Sequence, residues 1–160
     1  MRLTSKVLLG WAQQIEVNGA AFYRQVAAQA EDRDVKLLFE DLAQQEERHH
    51  RLYGRMLQGA PDTELSGPDV DGYQDYMASA LSSALLGGPE KGMERAKSAT
   101  DEQQAIAAAL AFEKDTLLFF SDLLNMVPES HRAAIEGIIE EEKGHVRQLG
   151  RMLDDHPWVS

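Results

Sequence analysis

A glutamate followed three positions later by a histidine occurs twice in this chain, as Glu46 with His49 and as Glu142 with His145. The copies lie 96 positions apart, and both fit Glu-x-x-His-x-Arg-x-x-Gly-Arg-Met-Leu, from Glu46 to Leu57 and from Glu142 to Leu153. A further glutamate stands upstream of each copy. Glu16 is followed by Phe22-Tyr23, and Glu113, at the same spacing, by Phe119-Phe120. On a helix, residues three apart share a face, so each motif presents a carboxylate and an imidazole together. Four carboxylates and two imidazoles in a duplicated helical frame are what a two-metal site between four helices needs. Oxygen-rich ligands with two imidazoles suit iron or manganese better than copper or zinc. By the duplication, Glu46 and Glu142 take the bridging role between the two ions.

The surroundings of these residues support a buried site. The helical face that carries Glu142 and His145 also collects Ile135, Ile138, Ile139, Val146, Leu149, Met152 and Leu153, whereas Glu140 and Glu141 fall off it. Glu46 and His49 share a face with Leu38, Phe39, Leu42, Tyr53, Met56 and Leu57. A carboxylate in such a stripe costs several kcal/mol unless something positive pairs with it. Basic residues on the stripes are few, so a cation is the economical partner. Glu16 has Ala12, Gly19 and Ala20 beside it at helical spacing, which leaves room for metal and solvent. Glu113 shares its face with Ile106, Ala109, Leu110, Leu117 and Phe120. A lone Glu-x-x-His arises readily by chance. Two in register, with partner glutamates 30 and 29 positions upstream, do not. His50 rivals His49 at i+4, but its counterpart in the repeat is Val146. His131 and His156 lie outside the repeat and read as solvated. Tyr23, Tyr53 and Phe120 read as core. Gly54, Gly144 and Gly150 read as points of close helix approach.

Helix breakers divide the chain into elements that can position this set. Long helices are expected over residues 5–30, 34–58, from about 100 to before Pro128, and 129–153. Thr100 is the expected cap of the third, in a capping box with Gln103. The short first and last connections force antiparallel hairpins. The 59–99 connection is long enough to cross the bundle, and a short extra helix is expected over residues 73–86, stopped by Gly87-Gly88-Pro89. The expected fold is all-α: a ferritin-like four-helix bundle of two antiparallel hairpins with a long crossover, all of residues 1–160 forming one domain.

Composition narrows the function. The net charge is −11, from 27 acidic against 16 basic residues, and no long basic patch argues for nucleic acid or an anionic membrane surface. The absence of cysteine excludes disulfides, iron–sulfur clusters and thiolate zinc sites within the chain. It fits a cytoplasmic protein. The apolar run near the N-terminus is too short for a signal peptide, and no stretch approaches a membrane span.

The chain resembles the rubrerythrin branch of the ferritin-like superfamily. The resemblance is carried by the 15–23 segment around Glu16, by Glu46-Glu47-Arg48-His49-His50, by the 111–116 segment around Glu113, and by Glu141-Glu142-Lys143-Gly144-His145. It implies a di-iron carboxylate site at Glu16, Glu46, His49, Glu113, Glu142 and His145, with two iron ions per chain and no haem. Manganese or a mixed pair are the alternatives. Family members react with peroxide or dioxygen, cycling between diferrous and diferric states. Rubrerythrins proper carry a four-cysteine rubredoxin domain, so a cysteine-free chain needs a separate electron donor. They also carry a further glutamate three residues after the third-helix ligand, where this chain has Thr116. That makes the ligand set closer to a bacterioferritin-type centre. A cage-forming fifth helix has no room after Leu153, so a homodimer is expected. Three functions compete: peroxide or dioxygen reduction, ferroxidase iron handling, and a non-enzymatic, metal-stabilised interaction module.

Overall fold

Side-chain caps fix where three of the four long helices begin. We describe the protein from a computed structural model, which covers residues 3–60, 62, 64–65, 70–73, 75–76 and 88–158. Helix α1 (Ser5–Gln29) starts where Thr4 Oγ1 accepts from Val7 N at 3.0 Å. Helix α2 (Arg33–Gly59) starts where Asp32 accepts from the backbone N–H groups of Asp34 and Val35. These bonds satisfy donors that the first turn leaves unpaired. Helix α4 (Glu102–Leu124) is capped by Asp101, which accepts from Gln104 N. The cap is therefore one residue later than the expected Thr100, whose own N–H donates to the Gln104 side chain. Helix α5 (Glu129–Asp155) follows Pro128, whose fixed φ suits the position before the first turn.

The crossover differs from expectation. Gly88-Pro89, expected to help stop a helix, starts one. Helix α3 (Pro89–Ser98) has Gly88 as its N-cap and Pro89 in its first turn. Gly88 has φ +102°, a left-handed conformation that glycine adopts without a Cβ clash. Proline at the first helical position loses no hydrogen bond. In the expected 73–86 helix, Tyr73, Asp75 and Tyr76 are helical, as are residues 70–72, and the remainder lies outside the described residues.

The four long helices close into a ring in which α1 packs on α2 and α4, and α5 packs on α2 and α4. Glu31 and Asp32, after α1, bond through their N–H groups to Glu102 at the start of α4. Ser5, at the start of α1, reaches Met126 O, past the end of α4. Thus α1 and α4 run antiparallel, and the crossover must travel the length of the bundle. It does so along the outside of α1. There a Cβ on Gly92 would sit 2.7 Å from Asn18 O, so only glycine allows the approach. The expected all-α bundle of two antiparallel hairpins is the observed architecture. The described residues form no β-strand, only an isolated bridge between Thr4 and Glu64. Ile15, Tyr23, Phe39, Leu42, Ile106, Phe120 and Leu149 are among the fully buried residues of one continuous core. No helix of the described residues is long and apolar enough to cross a membrane.

Candidate metal centre

Six polar side chains interrupt this core at mid-bundle. Glu16, Glu46, His49, Glu113 and Glu142 have no exposed surface, and His145 is 4% exposed. All six residues expected from the sequence come together, from all four long helices. They form two overlapping groups. One ligand atom each from Glu16, Glu46, His49 and Glu142 lie within 4.8 Å of one another, and so do atoms of Glu46, Glu113, Glu142 and His145. Glu46 and Glu142 belong to both groups, the placement that bridging carboxylates need. The two imidazoles stack, with centroids 6.1 Å apart.

Each imidazole turns Nδ1 to the carboxylates. His49 Nδ1 is 2.9 Å from Glu142 Oε1 and 3.5 Å from Glu16 Oε1. His145 Nδ1 is 3.0 Å from Glu142 Oε2, 3.5 Å from Glu46 Oε1 and 3.6 Å from Glu113 Oε1. Both oxygens of Glu16, both of Glu46 and one of Glu113 are buried without a hydrogen-bond partner. Buried carboxylate oxygens are rarely left so, because desolvation without compensation costs several kcal/mol. Oxygen atoms aimed at a common point, with imidazole nitrogens beside them, fit a pair of cations. Gly19 adds to the fit. A Cβ there would meet Glu46 Oε2 and Phe112 at 3.0 Å, so its absence leaves Glu46 its place.

Electrostatics without a cation are strained. Burial, reinforced by the Glu142 charge, raises the Glu16 and Glu46 carboxyls far above their usual range. The same causes push Glu113 up to about 8. For Glu142 burial also raises, but bonds from Glu113, His145 and His49 outweigh it and hold this carboxyl well below its usual value. Burial lowers His49, yet Glu142 and its neighbours lift it to about 9; Glu113, Glu142 and Glu46 lift His145 to about 12. Without metal the cluster thus retains protons as its counter-charge.

Several partners escaped the sequence reading. Glu141, read as off the apolar face, places Oε2 2.6 Å from His49 Nε2 and also bonds Arg48. A carboxylate on the far nitrogen orients a ligating imidazole and makes it a better donor. The available signal was adjacency: Glu141 precedes one ligand, Arg48 precedes another, and the two lie on facing helices. Tyr23 is core, as expected, but its hydroxyl also donates to Glu113. Tyr53 is fully buried, and its hydroxyl has no hydrogen-bond partner among the described residues. His156 is not solvated. Its Nε2 lies 2.7 Å from Asp32 Oδ2 and its ring meets Trp158 edge-on, because the end of α5 returns to the α1–α2 corner. A third acid–imidazole group there, Asp32, Asp34 and His156, is partly exposed, and Asp32 is already committed as a helix cap. The glycine reading holds in part. A Cβ on Gly54 would lie 2.9 Å from the Gln13 side chain, but Gly150 has nothing within 4 Å and Gly144 only Arg147, at 3.7 Å. The latter two do not mediate helix approach.

The rubrerythrin family profile matches residues 8–153. The chain belongs to the rubrerythrin family. Its fold is also that of a solved Thermotoga maritima protein described as ferritin-like and diiron-carboxylate. The TM-score is 0.72 at 21% identity, over 97% of both chains. No curated protein matches the sequence. Within the rubrerythrin family frame, Thr116 departs from an acidic ligand. It is fully buried, and its hydroxyl donates to Phe112 O of its own helix at 2.9 Å.

Proposed function

We propose that this protein holds two iron ions in the Glu16, Glu46, His49, Glu113, Glu142 and His145 cluster and reduces hydrogen peroxide, or consumes dioxygen, with electrons from a separate donor. The observation that carries this reading is the pair of overlapping four-donor groups sharing Glu46 and Glu142. Family membership supports the choice of oxidant. A diferrous pair held there would supply the two electrons needed to cleave an O–O bond, with peroxide and two protons giving two waters.

The chain's own residues set the conditions for that chemistry. Glu16 and His49 would hold one ion and Glu113 and His145 the other, beside the shared Glu46 and Glu142. Glu141 accepts from His49 Nε2, which leaves Nδ1 as the donor toward the centre. The Tyr23 hydroxyl keeps its proton, since burial and the Glu113 charge raise its pKa, and it fixes the orientation of Glu113. Phe39 and Phe112, packed edge-on against Tyr23, exclude water from that side.

Anaerobic iron loading followed by metal analysis and stopped-flow mixing with each oxidant tests the proposal. About two irons per chain are expected, with faster oxidation by peroxide than by dioxygen and turnover only with an added reductant. A folded chain that binds no iron overturns it. The second reading, ferroxidase iron handling, is favoured by Thr116, because no extra carboxylate stands at that position. A clear preference for dioxygen would select it.

A further inference from the structure

We propose that a cleft beside Gly144 is the port through which divalent metal ions reach and leave the centre, an inference that rests on the metal-centre reading above. Five of the six donor residues are fully closed to solvent, and only His145 touches the surface. It does so at the floor of a cleft of about 340 Å³ between α2 and α5, lined also by Asp41, Gln45, Glu141, Gly144 and Arg147. The duplicated motif explains why the opening is one-sided. Over His49, the Arg48 guanidinium bonds Glu141, and Glu141 closes on Nε2. The counterparts of Arg48 and Glu141 in the repeat are Gly144 and Gln45, so the equivalent lid over His145 lacks its arginine and its carboxylate. The space is real, since a Cβ on Gly144 would meet nothing nearer than Arg147 Nη2 at 3.7 Å.

The lining suits a cation in transit. Asp41 and Gln45 line the cleft with oxygen ligands, and His145 lines it with an imidazole. Glu141 is already bonded to Arg48 and His49, and Arg147 and Arg151 also line the cleft, so the cleft gives ligands without a deep electrostatic trap.

Filling the cleft should change rates and leave the end states alone. Gly144→Leu adds bulk without charge or donor atoms, and leucine is a better helix former than glycine, so folding is not put at risk. Cobalt(II), read by its ligand-field absorption, reports loading on mixing and release to an excess of chelator without any redox step. A barrier raised between unchanged end states slows both directions by the same factor. We expect loading and release each to slow by about tenfold, the effect of a barrier higher by ~1.4 kcal/mol, with final cobalt per chain unchanged. Gly150→Leu, on the same helix but outside the cleft, should load like the wild type. Wild-type loading rates in Gly144→Leu overturn the port, as does a change in release alone, which would signal a weakened site. A folded wild type that takes up no cobalt overturns the metal centre and the port together.

Discussion

At the scale of the residue, Glu142 and Glu16 are not equivalent. Glu142 belongs to both donor groups, whereas Glu16 belongs to one. Glu142→Ala should therefore abolish binding of both ions, while Glu16→Ala should leave about one per chain, as metal analysis after anaerobic loading will show. His50→Ala should leave stoichiometry intact. Glu141 touches the centre only through His49 Nε2. Its replacement by alanine should weaken metal binding roughly 10- to 100-fold, the usual effect of removing an outer partner of a ligating histidine. Competition with a chelating dye would measure it, and unchanged affinity would remove Glu141 from the site. The six donors were legible in the sequence because the repeat doubles a signal that is weak when single. Glu141 was not, because face analysis sorts residues by direction from their own helix. The Arg48–Glu141–His49 bonds arise between two helices, just at the margin where the apolar stripe ends.

At the scale of the element, the helices were legible where apolar periodicity runs long, and their ends were legible to within a few residues. The crossover was not. Gly87-Gly88-Pro89 carries the same letters whether it stops one helix or starts the next. The deciding contact, Gly92 against the backbone of Asn18, joins residues far apart in the sequence. That contact yields its own test. Gly92→Ala places a methyl where only 2.7 Å is available to a carbonyl oxygen. The clash should cost about 1–3 kcal/mol, outweighing the ~1 kcal/mol that alanine gains in a helix. A lower urea midpoint with unchanged metal content is the expected result, because α3 lies outside the ring that holds the ligands.

At the scale of the whole molecule, the buried acids tie stability to pH. A group whose pKa rises on folding binds its proton more tightly in the native state, so stability falls as pH climbs from the unfolded to the folded value. Glu113 goes from 4.5 to about 8, and His49 from 6.5 to about 9. Glu142, held low, acts in the opposite direction but only below its ordinary 4.5. The metal-free protein should thus melt at progressively lower temperature from about pH 5 to about pH 9, a loss on the order of several kcal/mol. Added metal should raise the melting temperature most at the alkaline end, where the fewest protons must be displaced. Calorimetry of both forms checks this, and a flat metal-free profile would contradict it. For assembly, we expect a homodimer by light scattering, and a hollow cage of many subunits would favour iron storage instead.

The first hairpin contributes Glu16, Glu46 and His49 to one ion position and needs only Glu142 from the second. The second contributes Glu113, Glu142 and His145 to the other and needs only Glu46. Every borrowed ligand is thus returned by its mirror, the rule of a self-complementary pair of identical halves. The donor groups follow the pattern of two like halves facing each other. The halves differ at Tyr23 against Phe120, at Gly19 against Thr116 and at Arg48 against Gly144. Two ions bound here would therefore meet unequal surroundings within one chain.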